Sequence, residues 1–499
     1  MPGVDVAERS PSGRGDPTTD PRLLAPTRPP ARGRLVVAAF GGLLGLALFL
    51  LARRALIDDA YITLDYARSL AFHGQWALEP GHQANTATSP LNVLLLAGFS
   101  LVTRDPVIAV GVLLVVALGV LGWALSSIGR MHGRPFLLPA LGVAAVAVCP
   151  LLASTVGMET YLAVALVACL ARAAVYRRPV EAGVVVGLLV LTRPDLVAFG
   201  LAALLVPALF RRALVVVGVA AAVALPWFVT SWLVLGSALP DTVLLKVGDH
   251  WGPWTFGNGL LLYHDTYPAA VLLSVLAAGA GVLAAVVTVL VRLVRRTGPE
   301  LELVAVWGVG AALHAGVYVG LGTAPYHWYY GPAIGALTML AVMSLAPAPR
   351  PVRGLGIAAG AALVVVGGGF LVRHPWSTPP MTTNWATAEQ YAAVAAGVPA
   401  GTVVLSPGEP GTIAYYCDCT VVDAFSDRAL VARGLADREA AGGPLQRAIL
   451  RLNYARLRTG PPMTPTMRLV FSETGPGVAA SSPWRAAGVI RVAPVPGGG

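Results

Sequence analysis

Runs of Ala, Val, Leu and Gly, most of them about long enough to cross a bilayer, recur along most of this chain. The first spans Leu35 to Ala52, and others lie near 105–128, 136–152, 159–176, 180–192, 196–210, 213–235, 268–291, 301–322, 329–346 and 355–372. Hydrocarbon offers backbone N–H and C=O groups no partner but one another, so each run is expected to be a helix. Arg53 and Arg54 follow the first run with no small-residue cleavage site, which makes it an uncleaved signal anchor. Pro90 to Val102 is short and reads as a re-entrant or interfacial helix. The short runs 180–192 and 196–210 lie between Arg177-Arg178 and Arg211-Arg212, as expected of a hairpin with both ends on one side.

Charge supports the same fold class. Only 12% of residues are charged, against about 25% in a soluble domain. That excludes a soluble globular enzyme, a disordered chain and a disulfide scaffold. The net charge of +10 is almost all arginine, Lys246 being the only lysine. The arginines punctuate apolar runs and form no basic stripe, so no nucleic-acid partner is expected. Placing Arg130/Arg134, Arg172/Arg177/Arg178, Arg211/Arg212, Arg292/Arg295/Arg296 and Arg350/Arg353 in the cytoplasm requires about eleven crossings of a plasma membrane. The N-terminus is then inside and the C-terminus outside, with Arg53/Arg54 the exception.

The sequence thus predicts a polytopic α-helical membrane protein of about 11 transmembrane helices with a small C-terminal α/β extracytoplasmic domain. Residues 1–33 read as a disordered cytoplasmic tail and 34–372 as the transmembrane module, with outer loops at 53–104 and 236–267. Residues 373–499 change to turns and short alternating runs. Strands are expected at Val403–Ser406, Thr412–Tyr416, Val421–Phe425 and Val489–Val492, and helices at Ala386–Ala396 and Leu445–Leu457. Cys417 and Cys419 stand too close for an easy mutual disulfide, and Cys149 and Cys169 read as helix packing.

Polar side chains gather on the outer side. Asp58 and Asp59 stand where the first helix leaves the bilayer, and charges there are costly. One is a candidate general base; adjacent helical residues point about 100° apart, so the pair is expected to divide roles. Lys246, a compact point charge, suits a phosphate whose charge grows during reaction; the plain alternative is a snorkelling cation. Arg193 beside Asp195 reads equally as a phosphate contact or as an intramembrane ion pair. Further candidate contacts are Tyr61, Tyr66, Arg68, Thr88, Ser89, Glu159, Asp241 and His250. His327, Trp328 and Tyr329 belong to an aromatic stretch suited to an interfacial belt or to stacking under a sugar. No metal-ligand spacing occurs, and a hard divalent cation such as Mg2+ or Mn2+ on the aspartates is the candidate cofactor. No P-loop, dinucleotide fingerprint or nucleophilic triad is present.

The stretch Asp58-Asp59-Ala60-Tyr61-Ile62-Thr63, with Tyr66-Ala67-Arg68 and Thr88-Ser89-Pro90-Leu91, resembles the first outer loop of GT-C membrane glycosyltransferases. It is most similar to the actinobacterial group that includes the mycobacterial terminal arabinofuranosyltransferase. Gly157–Thr160, Thr192–Asp195, Leu239–Thr242, Lys246 and Gly408–Asp423 follow in the order of that group. Leu64-Asp65 and Asn85–Thr88 depart from its pattern, and the chain is shorter than the mycobacterial arabinosyltransferases. The resemblance implies a polyprenyl-phosphate sugar donor, arabinofuranose favoured, and a cell-envelope glycan or glycolipid acceptor outside the membrane. It also implies catalysis by Asp58 or Asp59. A mannosyl- or other hexosyltransferase is the alternative within the class. A lipid-linked sugar transporter or flippase is the rival outside it, and a non-catalytic envelope assembly protein is the third reading.

Overall fold

The computed structural model describes residues 32–131, 133, 136–295 and 301–495. The expected tail at 1–33 lies almost wholly outside them, as do Arg134 and Arg296. Among the described residues, six helices are long and apolar enough to cross a membrane: Arg32–Ala52, Pro106–Met131, Ala213–Leu235, Pro268–Val294, Val304–Leu321 and Arg350–Arg373. Shorter apolar helices lie between them, namely Pro90–Thr103, Leu137–Ala147, Thr160–Val175, Pro179–Thr192 and Pro194–Ala203. The sequence predicts about eleven crossings, several by short runs, and six helices among the described residues reach spanning length. The shorter runs fall below it because breakers interrupt them. Leu137–Ala147 stops before Cys149-Pro150, and Pro179–Thr192 stops at Arg193, whose extended backbone precedes Pro194.

Small residues set the packing. A Cβ at Gly41 would run into the carbonyl of Leu118, and Gly45 and Gly122 are similarly closed. The first helix therefore lies backbone to backbone against Pro106–Met131 through a Gly41-x-x-x-Gly45 stripe, as in membrane helix pairs generally. Thr160–Val175 is buried on nearly every side and forms the centre of the bundle. Only 11% of the most apolar windows of Ala213–Leu235 and Arg350–Arg373 is buried, so these two present their surfaces to lipid.

Beyond the spans the chain builds a second layer. In chain order the strands are β1 (Ala77–Glu79), β2 (His82–Gln83), β3 (Val403–Leu405), β4 (Thr420–Val422), β5 (Met467–Ser472), β6 (Val478–Ser482) and β7 (Arg485–Pro494). The first two form a small antiparallel hairpin. The rest make one mixed sheet in the order β4-β3-β5-β7-β6, with β3 parallel to both neighbours. Thr412–Tyr416, expected to be a strand, belongs instead to a helix, Gly411–Tyr416. It is the crossover between parallel β3 and β4, and such a connection cannot itself join the sheet. The expected helices appear at Ala388–Ala395, with a capping box from Thr387 and Gln390, and at Pro444–Asn453. Cys417 and Cys419 are joined by a disulfide, with Cα atoms 5.2 Å apart. Cys417 leaves the helix in an extended conformation, which brings both side chains to one side, contrary to the spacing argument.

Candidate functional site

Where the first spanning helix ends, the chain turns through extended Ile57 into the helix Asp58–His73. Both acids occupy its first turn, where the helix dipole favours negative charge. Their surroundings separate them. Asp58 is 2% exposed, and its carboxylate oxygens accept the backbone N–H groups of Gly411 (3.1 Å) and Thr412 (2.7 Å). It thereby pins the crossover helix to the first loop. Gly411 is required there, since a Cβ would collide with the backbone of Asp58 and Ile62. Burial pushes the Asp58 carboxyl up to about 7, against the hydrogen bonds that favour its charged form. Asp59 is only half-buried. Burial raises its carboxyl as well, opposed chiefly by the charge of Lys246 and less by that of Arg193.

Asp58 and Asp59 lie in the wall of a cavity of about 1110 Å3, bounded by the membrane bundle on one side and the sheet layer on the other. Glu159, Arg193, Asp195, Lys246, Thr88, Trp328 and Tyr329, all read from the sequence, line it too. Lys246 ends the short helix Asp241–Leu245, its ammonium 4.8 Å from the centre of the Tyr326 ring and 5.3 Å from that of Phe425. Burial would lower its pKa, but Tyr326, Asp59, Tyr329 and Asp423 outweigh it and hold the ammonium charged. Arg193 is committed otherwise. Its guanidinium donates to Glu159 (2.9 Å), to Asp195 (3.0 Å) and to the Tyr318 hydroxyl, and lies over the Tyr329 ring. Asp195 also meets His314 at 2.9 Å. Of the two readings of Arg193, the structure realises the ion pair.

Other residues read as contacts stand behind the cavity. Tyr61 is wedged between Tyr415 and Tyr416, and the Tyr66 hydroxyl donates to the Ala84 carbonyl and meets Thr86 at 2.6 Å. Arg68 pairs with Asp65 and donates to the Tyr415 carbonyl. These three join the first loop to the crossover helix or brace it from within. Ser89 is buried at the start of Pro90–Thr103. Asp241 is buried against Ser237, with its amide on the Asn85 carbonyl, so it fixes the loop that carries Lys246. Its carboxyl is pushed up to about 6 by burial. His327 is fully buried edge-on to Tyr263, and His250 is exposed away from the cavity.

Residues that sequence reasoning passed over complete the wall. Glu409 is 7% exposed and accepts the amide of Trp385 (2.8 Å) and the hydroxyl of Tyr391. Burial, and then the nearby Asp58 charge, raise its carboxyl well above the usual range. Asp423 faces Lys246 from the end of β4, and Trp385, Trp484, Trp251 and Trp254 add aromatic surface. Glu409 sits in Ser406-Pro407-Gly408-Glu409-Pro410-Gly411, which reads only as a turn, and the last residue of that turn, Gly411, reaches Asp58 across some 350 residues of chain. Among the described residues no group of three His, Cys, Asp or Glu side chains is arranged to hold a metal ion.

No family model and no curated protein sequence matches the chain. By fold it is similar to ArnT from Cupriavidus metallidurans bound to undecaprenyl phosphate, with TM-score 0.53 and 13% identity, covering 93% of this chain and 98% of that one. The apo state of the same protein gives TM-score 0.53 at 14% identity, covering 87% and 92%. The Archaeoglobus fulgidus oligosaccharyltransferase in the apo form gives 0.48 at 12%, covering 88% and 69%. The likeness to ArnT shows a shared fold.

Proposed function

We propose that this protein is a membrane glycosyltransferase that moves a sugar from a polyprenyl-phosphate donor to a cell-envelope glycan on the outer face of the plasma membrane. The observation that carries the reading is that a half-buried carboxylate, Asp59, and the only lysine, Lys246, line one large aromatic-walled cavity at the end of the membrane helices. The fold shared with ArnT, a protein seen bound to undecaprenyl phosphate, supports the donor class.

In this reading the donor phosphate lies against Lys246, which stabilises the charge that grows as the bond from C1 to the phosphate oxygen breaks. The acceptor hydroxyl attacks C1 and passes its proton to Asp59. Attack opposite the departing phosphate inverts the anomeric centre. Asp58 is the positioning residue: with both oxygens on the crossover helix, it holds the far wall in register. Arabinofuranose is the favoured sugar on the sequence resemblance, with mannose the alternative. The transporter reading is weaker, since Glu159, Arg193, Asp195 and His314 are tied to one another in one ion-pair network.

The test is release of polyprenyl phosphate by the purified protein in lipid, offered arabinofuranose, mannose, glucose and galactose donors with and without cell-wall glycan. Release from one donor, dependent on the glycan, is expected. Binding of a donor without release from any of them would overturn the enzymatic reading.

A further inference from the structure

Most side chains of the sheet layer follow the rule for a water-exposed surface, but one helix does not. On Pro444–Asn453, Leu445 is 75% exposed, Ile449 44% and Leu452 71%. Their spacing of i, i+4 and i+7 places them on a single stripe. Leu450 and Asn453 on another face are buried against the protein, so the helix is held in place while its apolar stripe is left bare. Beyond residue 373, the only other large apolar side chain exposed to this degree among the described residues is Tyr416.

The neighbours of the stripe identify what covers it. The indole N–H of Trp232, near the end of the lipid-facing helix Ala213–Leu235, donates to the carbonyl of Leu452 (3.1 Å). Arg456 lies over the same indole at 4.9 Å, and the next turn of chain packs so closely on Gly236 that a Cβ there would touch Leu457. Leu233 and Val234, beside Trp232, are 52% and 60% exposed as part of the lipid-facing surface. The bare stripe is therefore continuous with a surface already in hydrocarbon, and a tryptophan marks the boundary, as is usual at membrane interfaces. From residue 440 to 460 the chain carries Arg447, Arg451, Arg456 and Arg458 and no acid, and of these Arg451 is paired with Glu439 of the preceding helix. Arg447, Arg456 and Arg458 are exposed.

We infer that Pro444–Asn453 is an interfacial helix that lies in the membrane surface, with Leu445, Ile449 and Leu452 among the acyl chains and Arg447, Arg456 and Arg458 among anionic headgroups. The contact has a consequence for the cavity. Asn453 accepts the amide of Leu239 (2.8 Å), and Arg438 on the preceding helix, Arg428–Ala441, donates to the carbonyls of Leu245 and Val247. The interfacial helix thus tethers the loop that carries Lys246 at a fixed height above the bilayer. The placement depends on the membrane spans and not on the sugar-transfer reading, so either can fail alone.

The test uses the full chain in vesicles of phosphatidylcholine and phosphatidylglycerol containing a spin-labelled phospholipid. A fluorophore is attached in turn through Leu445→Cys, Ile449→Cys and Leu452→Cys, and through Ala436→Cys on the exposed face of the preceding helix as the reference. Quenching several-fold stronger at the three stripe positions than at Ala436 is expected, rising with the phosphatidylglycerol fraction. In a Leu445→Glu/Leu452→Glu protein with unchanged thermal unfolding, quenching at Ile449→Cys should fall toward that of the reference. Equal quenching at all positions would overturn the inference. So would shielding from the lipid quencher accompanied by excimers between labelled chains, which would assign the stripe to a second copy.

Discussion

At the scale of single residues, two adjacent carboxylates and two cations are told apart by what holds them. Asp58 spends both oxygens on backbone N–H groups, whereas Asp59 faces Lys246 across the cavity. Its raised carboxyl makes Asp58 a stability titration. The folded value is about 7 against 3.8 for the free group, so the folded state holds the proton more tightly than the unfolded chain. Its contribution is fully present below about 3.8 and is lost as pH rises to about 7. Thermal unfolding between these limits should therefore show a decline with pH that Asp58→Asn lessens, Asp59, Asp241 and Glu409 supplying the rest. The cations separate in the opposite sense. Arg193→Met breaks a buried ion pair and should cost about 3–5 kcal/mol of stability. Lys246→Met should unfold within about 1 kcal/mol of the native protein, yet lose about 10²–10³-fold in turnover, the loss typical of removing a positioned charge stabiliser. Since Lys246 supplies the charge, turnover should survive EDTA. Recovery only with added Mg2+ or Mn2+ would give the phosphate contact to a metal.

At the scale of elements, the short crossover helix Gly411–Tyr416 matters more than its length implies. It offers its N-terminal N–H groups to Asp58 and its tyrosines to Tyr61 and Arg68. Gly411→Ala adds one methyl against the Asp58 and Ile62 backbone, and overpacking of that kind costs about 1–3 kcal/mol. Activity should fall with it by about tenfold or more, and an unchanged rate would mean that the helix does not position the site. This element also marks the limit of reading the chain from sequence. The apolar runs were legible because lipid enforces one answer for each of them. Thr412–Tyr416 was not, because β-branched and aromatic residues favour strands locally while the parallel pairing of β3 and β4 demands a crossover there. Asp58 and Asp59 stood out as charges beside hydrocarbon, and Lys246 as the only lysine. Tyr61, Tyr66 and Arg68 belonged to the same motif but brace it from behind, and motif membership does not separate contact from support. Glu409 and Asp423 lie at the two ends of the stretch Gly408–Asp423 that carried the resemblance, but neither stood out as a site residue, since a carboxylate in a Pro/Gly turn, like Glu409, or just past a short strand, like Asp423, looks like any solvated loop residue until the fold buries it.

At the scale of the whole molecule, the cavity belongs to neither layer alone. Its floor and one wall come from the membrane helices, and the facing wall comes from residues 383–385, 405–410, 423–425 and Trp484. Removing the sheet layer would strip Asp58 of both backbone partners, so the two layers should unfold in a single transition and not as separable domains. The central claim is that Asp59 and Lys246 act together on a lipid-phosphate sugar while Asp58 holds the cavity in shape. It is tested most directly by measuring donor binding and polyprenyl-phosphate release side by side for the native protein, Asp59→Asn and Asp58→Asn. Asp59→Asn should bind donor as the native protein does but release polyprenyl phosphate at least about 10²-fold more slowly, whereas Asp58→Asn should keep measurable release while its thermal unfolding changes. Full release by Asp59→Asn, with release abolished in a normally folded Asp58→Asn protein, would contradict that claim.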